Sequence, residues 1–122
     1  MGKNGKVLLV GGAGYIGTVT TKHFLNSGWQ VRCADHLIYK NASCVWPFFG
    51  EPNYEFLPFD LRDSKSHNAA LEGITNVVIL AGLVGDPITK KYPNESHAIN
   101  LTGMASFLDS VAQRDSVERL VF

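Results

Sequence analysis

The sequence predicts an α/β fold with a parallel sheet of about five strands, and three observations carry this prediction. Short apolar runs alternate with segments of helical periodicity, in the order β-α-β, loop, β-α-β-α-β. The apolar runs are continuous rather than alternating, which is typical of strands buried on both faces of a sheet. A glycine-rich segment stands directly between the first strand and the first helix. Strands joined through helices run parallel, with right-handed crossovers.

The first half of the chain has the pattern of a β-α-β unit. A buried strand is predicted at Lys6–Val10, a helix at Tyr15–Asn26 and a second strand at Gln30–Ala34. The residues expected on the buried face of this helix are Ile16, Val19, Phe24 and Leu25. Residues 36–53 are apolar but aperiodic and contain Gly and Pro, so we predict a loop with one short helical turn.

The second half continues the alternation. We predict strands at Tyr54–Pro58, Asn76–Leu80 and Val117–Phe122, the last of them buried, and a short helix that begins near Asp63 or Ser64 and ends at Leu71. The longest helix is predicted to begin at Pro93-Asn94, with an apolar stripe that consists of Ala98, Leu101, Ala105, Leu108 and Ala112. Met104, Phe107 and Val111 lie outside this stripe. Either a subunit contact or core packing would explain them. We place His67 on the surface.

Length, composition and charge fit one ordinary globular domain. The chain has 122 residues, of which 45% are hydrophobic and 18% charged, so disorder is excluded as its dominant state. Eleven basic and eleven acidic side chains balance, and we therefore expect no nucleic-acid partner and no membrane partner. Cys33 and Cys44 lack the spacing of a metal site, which predicts no metal and is typical of reduced thiols in a cytoplasmic protein.

The glycine-rich segment has the spacing of a dinucleotide-binding loop. Gly11, Gly14 and Gly17 follow one strand and open one helix. In such a loop the first glycine permits the tight turn, the second lets the backbone approach a pyrophosphate, and the third lets the helix pack close to the sheet. The N–H groups of the first helical turn and the helix dipole then favour a diphosphate. We therefore predict a Rossmann-like, doubly wound domain; the alternative is a βα turn that merely requires glycine.

Two acidic residues stand at the ends of the next strands. Asp35 lies 18 residues beyond Gly17, where a carboxylate accepts the hydroxyls of the adenosine ribose and repels a 2′-phosphate, which favours NAD over NADP. His36 follows it and is predicted to neighbour the adenosine. Asp60 can accept the adenine amino group, and Leu61 can offer its backbone N–H to a ring nitrogen. The alternatives are a solvated loop position for Asp35 and a helix-capping or surface role for Asp60.

Taken together, these residues resemble the extended short-chain dehydrogenase/reductase family, and within it the NAD-dependent epimerase/dehydratase branch. The resemblance covers nearly the whole chain. The matching segments are residues 11–17, Asp35 with Leu37, Asp60-Leu61, Leu80-Ala81-Gly82, Asn100 and 116–122. Residues 83–87 are similar to those of sugar-nucleotide epimerases and dehydratases rather than steroid or flavonol reductases.

The resemblance implies roles for several of these residues. Tyr15 and Ile16 would offer backbone N–H groups to the diphosphate. Residues 80–82 would line the cleft beside the nicotinamide ribose, and Asn100 would help to hold the loop around the cofactor. Core packing is an alternative for the first two residues of 80–82, and a solvent-facing position is an alternative for Asn100.

The same resemblance implies that the catalytic residues are not in this chain. The family uses a Ser or Thr and a Tyr-x-x-x-Lys, in which the tyrosine is the general acid/base and the lysine lowers the pKa of that tyrosine. The residues four positions after the four tyrosines are Val19, Ser43, Pro58 and Ser96. We therefore predict no catalytic residue here, and we interpret 1–122 as the N-terminal part of an NAD(P)-binding domain, truncated before the catalytic segment.

The leading functional hypothesis is the NAD-binding portion of a nucleotide-sugar epimerase or dehydratase. In such an enzyme a hydride passes transiently from a sugar carbon to NAD, and a nucleotide sugar is the substrate. One alternative is a non-catalytic module that binds NAD and senses redox state. Another is a dehydrogenase or reductase of the same family that acts on a non-sugar carbonyl. The resemblance also implies a homodimer, since family members often dimerise through helices that include the long one.

Overall fold

The structure, a computed structural model, describes residues 5–36, 44–80 and 102–122. The strands are β1 (Lys6–Val10), β2 (Gln30–Asp35), β3 (Tyr54–Pro58), β4 (Asn76–Ile79) and β5 (Arg119–Val121). The described helices are α1 (Tyr15–Asn26), α2 (Lys65–Leu71) and α3 (Met104–Ala112), and a 3₁₀ turn spans Trp46–Phe48. The predicted bounds of β1, β3 and α1 are confirmed as they stand.

The five strands form one parallel sheet, which confirms the predicted fold class. The strand order is β3-β2-β1-β4-β5, and every neighbouring pair is parallel. The order reverses between β1 and β4. In sheets of this kind the crevice at the carboxyl ends of the strands, beside the reversal, is where a dinucleotide binds.

Each face of the sheet has its own hydrophobic cluster. The cluster beneath α2 and α3 includes Leu8, Leu71, Ile74, Val77 and Phe107. The cluster on the α1 face includes Val7, Leu9, Val31, Cys33 and Val45, the last of these from the segment between β2 and β3. Helices therefore cover both faces, as a doubly wound fold requires.

The buried face of α1 differs from the prediction. Ile16 and Val19 are each 64% exposed, whereas Gly17 is buried and Thr21 is fully buried. Small residues face the sheet here because the helix begins in close contact with the glycine-rich loop. The Thr21 hydroxyl is satisfied inside the helix, where it donates to Gly17 O at 2.8 Å, and can therefore be buried. Phe24 and Leu25 are half-buried against the cluster, as predicted.

The predicted stripe on the long helix is wrong at two of its three described positions, whereas Leu108 packs against the core as predicted. The buried residues of α3 are Met104, Phe107 and Val111, while Ala105 and Ala112 are exposed. Larger side chains gain more from burial than alanines do, so they occupy the face toward the sheet. These three residues belong to the core and are not available for a subunit contact. The predicted beginning of the helix, at 93–101, lies outside the described residues.

The fifth strand is present, but its side chains are not buried as predicted. Leu120, Val121 and Phe122 are exposed, and β5 forms one edge of the described sheet, paired with β4. The loop with one helical turn predicted for 36–53 is confirmed over 44–53, and residues 37–43 lie outside the description.

Arg32 on β2 joins the sheet to the end of α2. Its Nη1 lies 2.7 Å from Ala70 O, 2.8 Å from Glu72 O and 3.2 Å from Ala69 O. Its Nε donates to Glu55 Oε1 at 2.8 Å. A helix end leaves its last carbonyls without partners, and a guanidinium supplies both the donors and the favourable charge.

Candidate functional site

The glycine-rich loop turns sharply as it leaves β1. Gly11 has φ +84°, a left-handed conformation that a side chain rarely adopts, so its predicted role in the turn is confirmed. Gly11 N donates to Ala34 O at 2.7 Å, and Gly14 N donates to Gly11 O at 3.3 Å. The loop is thus joined to β2 and closed on itself before α1 begins.

Two further glycines allow the closest contacts of the loop. A Cβ on Gly17 would lie 2.5 Å from Gly12 O, so the absence of a side chain at Gly17 permits the helix to pack closely against the backbone of the loop. The prediction had the helix pack closely against the sheet. A Cβ on Gly12 would lie 2.8 Å from Cys33 Sγ on β2. Gly12 was not among the predicted site residues, since its requirement arises from a neighbour distant in sequence.

Gly14 has an open side, and the helix behind it has unused donors. A Cβ on Gly14 would meet only Gly11 O, at 3.5 Å, so the backbone there is accessible to a ligand. The first hydrogen bond of α1 runs from Thr18 N to Gly14 O at 3.0 Å. The N–H groups of Tyr15, Ile16 and Gly17 therefore precede the helical ladder and can serve an anion.

Asp35 ends β2 beside this loop. Its Oδ2 accepts a hydrogen bond from Ala13 N at 3.0 Å, so the carboxylate is fixed against the loop and is not a solvated side chain. A carboxylate has about four lone-pair sites and can accept more than one hydrogen bond. Arg32, three residues earlier, points to the other face of the sheet and lies at the end of α2.

His36, Asp60 and Arg62 form an exposed cluster after β2 and β3. Arg62 Nε and Nη2 contact both carboxylate oxygens of Asp60, the shortest distance being 2.7 Å to Oδ2. The hydrogen bonds from Arg62 hold the pKa of Asp60 below its usual value. His36 Nε2 lies 3.3 Å from Arg62 Nη2 and 3.8 Å from Asp60 Oδ2. The sequence reasoning missed Arg62; its position two residues after Asp60 was the available signal.

The alternative capping role of Asp60 is not observed. At the start of α2 it is Asp63 Oδ1 that accepts the Lys65 N–H, at 3.0 Å. Ser64 occupies the N-cap position without a side-chain hydrogen bond to the helix. The Asp60 carboxylate instead faces Arg62 and His36.

Leu61 presents its side chain to the core and its backbone to the loop. The side chain is buried in the cluster beneath α2. Among the described residues the Leu61 N–H has no hydrogen-bond acceptor, while Leu61 O lies 3.1 Å from His67 Nε2. His67 is fully buried, so its predicted surface position is wrong. From sequence alone, a histidine on a short helix is expected on the surface. The carbonyl that satisfies its ring is six residues away and outside the helix, so the helix pattern does not reveal it.

The described part of the cleft ends at Leu80. Its N–H donates to Val10 O at 2.8 Å, which places it at the carboxyl end of β4 beside the glycine-rich loop. Ala81, Gly82 and Asn100 lie outside the described residues, and their roles stay predictions.

Two kinds of feature are absent from the described ranges. No group of three His, Cys, Asp or Glu side chains there is placed to hold a metal ion. Over residues 5–36, 44–80 and 102–122, no helix has the length and apolar character needed to cross a membrane.

Comparison with known proteins gives relatives of more than one activity. Over 122 residues the chain is 31% identical to a 3β-hydroxysteroid dehydrogenase/Δ5→4-isomerase of Mycobacterium tuberculosis, covering 97% of this chain and 31% of that protein. Over 118 residues it is 30% identical to a UDP-glucose 4-epimerase of Lacticaseibacillus casei, covering 95% and 34%. The chain thus spans about a third of the length of these relatives.

A solved structure and a family comparison agree with this placement. The chain is similar to the crystal structure of UDP-glucose 4-epimerase from Stenotrophomonas maltophila with bound NAD and formylated UDP-arabinopyranose. The TM-score is 0.82 and the identity 29%, over 97% of this chain and 36% of that one. The sequence model of the NAD dependent epimerase/dehydratase family matches residues 7–122. The chain therefore belongs to the NAD-dependent epimerase/dehydratase family.

Proposed function

We propose that this chain is the NAD-binding portion of a nucleotide-sugar epimerase or dehydratase. The observation that carries the proposal is the Asp35 carboxylate, held at the carboxyl end of β2 by a hydrogen bond from Ala13 N in the glycine-rich loop. This arrangement brings a ribose-binding carboxylate and a pyrophosphate-binding loop together on one edge of the sheet.

The residues present fit a dinucleotide part by part. The open side of Gly14 and the N–H groups of Tyr15 and Ile16 would receive the diphosphate. Asp35 would accept the adenosine ribose hydroxyls. Its negative charge disfavours a 2′-phosphate at the same place, which supports NAD rather than NADP.

The adenine would lie beyond the ends of β2 and β3. Leu61 offers a backbone N–H without an acceptor among the described residues, and a ring nitrogen is a suitable partner. Asp60 would accept the amino group with the capacity that Arg62 leaves. Arg62 is paired with Asp60 at 2.7 Å, so this carboxylate is held beside the expected position of the adenine.

When bound, NAD supplies reversible hydride acceptance from a carbon that bears a hydroxyl group. The chain's own residues would hold the dinucleotide and orient it. The groups that move the proton of the substrate hydroxyl are not assigned to residues of this chain. The similarity to UDP-glucose 4-epimerases supports a nucleotide sugar as the substrate.

Titration calorimetry of the chain with NAD and NADP tests the cofactor. We expect NAD to bind at least about tenfold more tightly, which corresponds to about 1.4 kcal/mol. Asp35→Asn retains an oxygen that accepts the Ala13 N–H but removes the charge, so this preference is expected to fall. Asp109→Asn is the matched control, since Asp109 is exposed on α3. Equal affinities of the unaltered chain for NAD and NADP would contradict the role of Asp35.

A second candidate function is a steroid dehydrogenase, supported by the 31% identity to the mycobacterial enzyme. An activity assay of the gene product that contains this chain distinguishes the two candidate functions. With NAD present, UDP-glucose should be converted to a different sugar nucleotide if the first proposal is right. Formation of NADH with a 3β-hydroxysteroid, and no change in UDP-glucose, would favour the second.

A further inference from the structure

His67 is a fully buried polar side chain with no role in the function proposed above. Thr21, the other polar residue buried to the same extent in the described ranges, is satisfied within its own helix. The ring of His67 instead contacts three separate parts of the fold: the loop after β3, the core, and α3. A buried imidazole that links elements in this way requires a partner at each nitrogen.

The contact at Nε2 identifies one ring nitrogen that carries a hydrogen. Nε2 lies 3.1 Å from Leu61 O, and a carbonyl can only accept, so Nε2 carries a hydrogen. Nδ1 lies 3.3 Å from Ser110 Oγ on α3, whose single hydroxyl hydrogen can point either to Nδ1 or to Ser106 O, which is also 3.3 Å away. The rings of Phe59 and Phe107 lie 5.7 and 5.3 Å from the imidazole and hold it from the sides.

The residue that His67 holds is the one whose N–H is available to an adenine. Leu61 is fixed on its carbonyl side by His67 and on its side chain by the core, so the orientation of its N–H is restricted. The neighbouring α2 residue Ser66 has its hydroxyl 3.2 Å from Asp60 O and 2.7 Å from Asp63 O. The beginning of α2 thus supports the loop of residues 60–61 at two successive carbonyls.

We propose that His67 is a positioning residue for adenine recognition, acting through the Leu61 carbonyl. This inference rests on the proposed NAD-binding function and deepens it. Leu61 O belongs to the 61–62 peptide, and the Leu61 N–H belongs to the adjoining 60–61 peptide. Without the Nε2–H donor the 61–62 peptide loses its fixed orientation, and through the shared Leu61 Cα the N–H no longer meets the adenine ring nitrogen reliably. The affinity for the adenine end of the cofactor then falls, while the pyrophosphate loop is unaffected.

The test compares NAD with its hypoxanthine analogue by titration calorimetry. Hypoxanthine carries an oxygen in place of the amino group and a hydrogen on the adjacent ring nitrogen, so it cannot accept from Leu61 N–H. We expect the unaltered chain to prefer NAD by about tenfold. His67→Leu should reduce this ratio several-fold and leave the part that Asp60 contributes through the amino group. His67→Gln, whose side-chain amide can donate to Leu61 O, should retain the ratio.

The outcomes separate this proposal from the function on which it rests. A chain that binds NAD but does not distinguish it from the analogue overturns the positioning role alone. A chain that binds neither overturns both. His67→Leu with the original ratio shows a merely structural role. If that variant does not fold, ¹⁵N NMR of the unaltered chain decides: a hydrogen on Nε2 and a shift of the Leu61 amide signal on NAD addition support the proposal, and a hydrogen on Nδ1 alone overturns it.

Discussion

Replacement of Gly17 by alanine is expected to displace the beginning of α1 from the glycine-rich loop. A Cβ at this position would lie 2.5 Å from Gly12 O and 2.6 Å from Gly12 C and Cα. These are main-chain atoms that cannot rotate away. Since carbon atoms pack at about 3.5–4 Å, the helix and the loop would have to separate by roughly 1 Å.

The cost of this clash exceeds the gain in helix propensity. Overpacking of this kind destabilises a protein by about 1–3 kcal/mol. Alanine in place of glycine stabilises a helix interior by at most about 1 kcal/mol, and Gly17 stands in the first turn, where the gain is smaller. We therefore expect a net loss of about 1–2 kcal/mol in the free energy of unfolding. For a domain of this size the melting temperature should fall by roughly 3–8 °C.

Urea unfolding followed by circular dichroism measures this loss, with two variants as controls. Gly50→Ala has no atom within 4 Å of the added carbon, so its stability should change by less than about 0.5 kcal/mol. Gly14→Ala should also remain stable, because the added carbon meets only Gly11 O at 3.5 Å. Its affinity for NAD should nevertheless fall by about tenfold or more, since the methyl group occupies the side predicted to face the pyrophosphate. Equal stability of Gly17→Ala and Gly50→Ala would refute the packing argument, and unchanged NAD affinity of Gly14→Ala would refute the binding argument.

Three further predictions concern stability and reactivity. Arg32→Ala should lower the free energy of unfolding by about 1–3 kcal/mol, because the end of α2 loses a charged hydrogen-bond donor. Arg32→Lys should not restore this stability, since the ammonium of lysine lacks the planar, forked arrangement of donors of a guanidinium. Urea unfolding of both variants measures the two effects. Cys44 is exposed and should react with a disulfide reagent in the native chain, whereas burial raises the pKa of Cys33 to about 12, so that Cys33 should react only after unfolding; equal native rates would contradict this. The pairing with Arg62 lowers the pKa of Asp60, so its contribution to stability is complete above the unfolded pKa of about 3.9 and is lost as the pH falls through the lower folded value. In Arg62→Ala this acid-side loss should shrink, as seen in melting temperatures between about pH 2 and 7, and an unchanged profile would count against the pairing.

The parts of the fold that follow from local pattern were predictable, and the close contacts were not. Continuous apolar runs and the glycine spacing predicted β1, α1 and the turn at Gly11, because each depends on neighbours in sequence. Gly17 is buried in place of Ile16 because α1 lies close to the Gly12 backbone. The hydrophobic periodicity of the sequence carries no information about this distance. In α3 two apolar faces compete, and the pattern alone does not show that the larger side chains of Met104 and Phe107 are the ones buried.

The candidate site shows the same division. Asp35 was found because its distance from the loop is set by one helix and one strand, and the structure joins it to Ala13. The pairing of Arg62 with Asp60 was missed although the two residues are close in sequence. The burial of His67 was missed because it is determined by how the loop after β3 and helix α3 lie against α2. Side chains that support a loop from beneath leave no regular spacing in the sequence.

The hydrogen bond between Asp35 and Ala13 has a consequence for redesign of the cofactor preference. The carboxylate expected to exclude a 2′-phosphate also holds the backbone of the phosphate-binding loop at 3.0 Å. A substitution that enlarges this corner for NADP, such as Asp35→Gly, removes both functions in one step. Loss of the Asp35 acceptor would then weaken the loop that every dinucleotide requires, whichever ribose it carries. Conversion of this chain to NADP therefore calls for paired changes: removal of the acid, and a new acceptor for the loop amide.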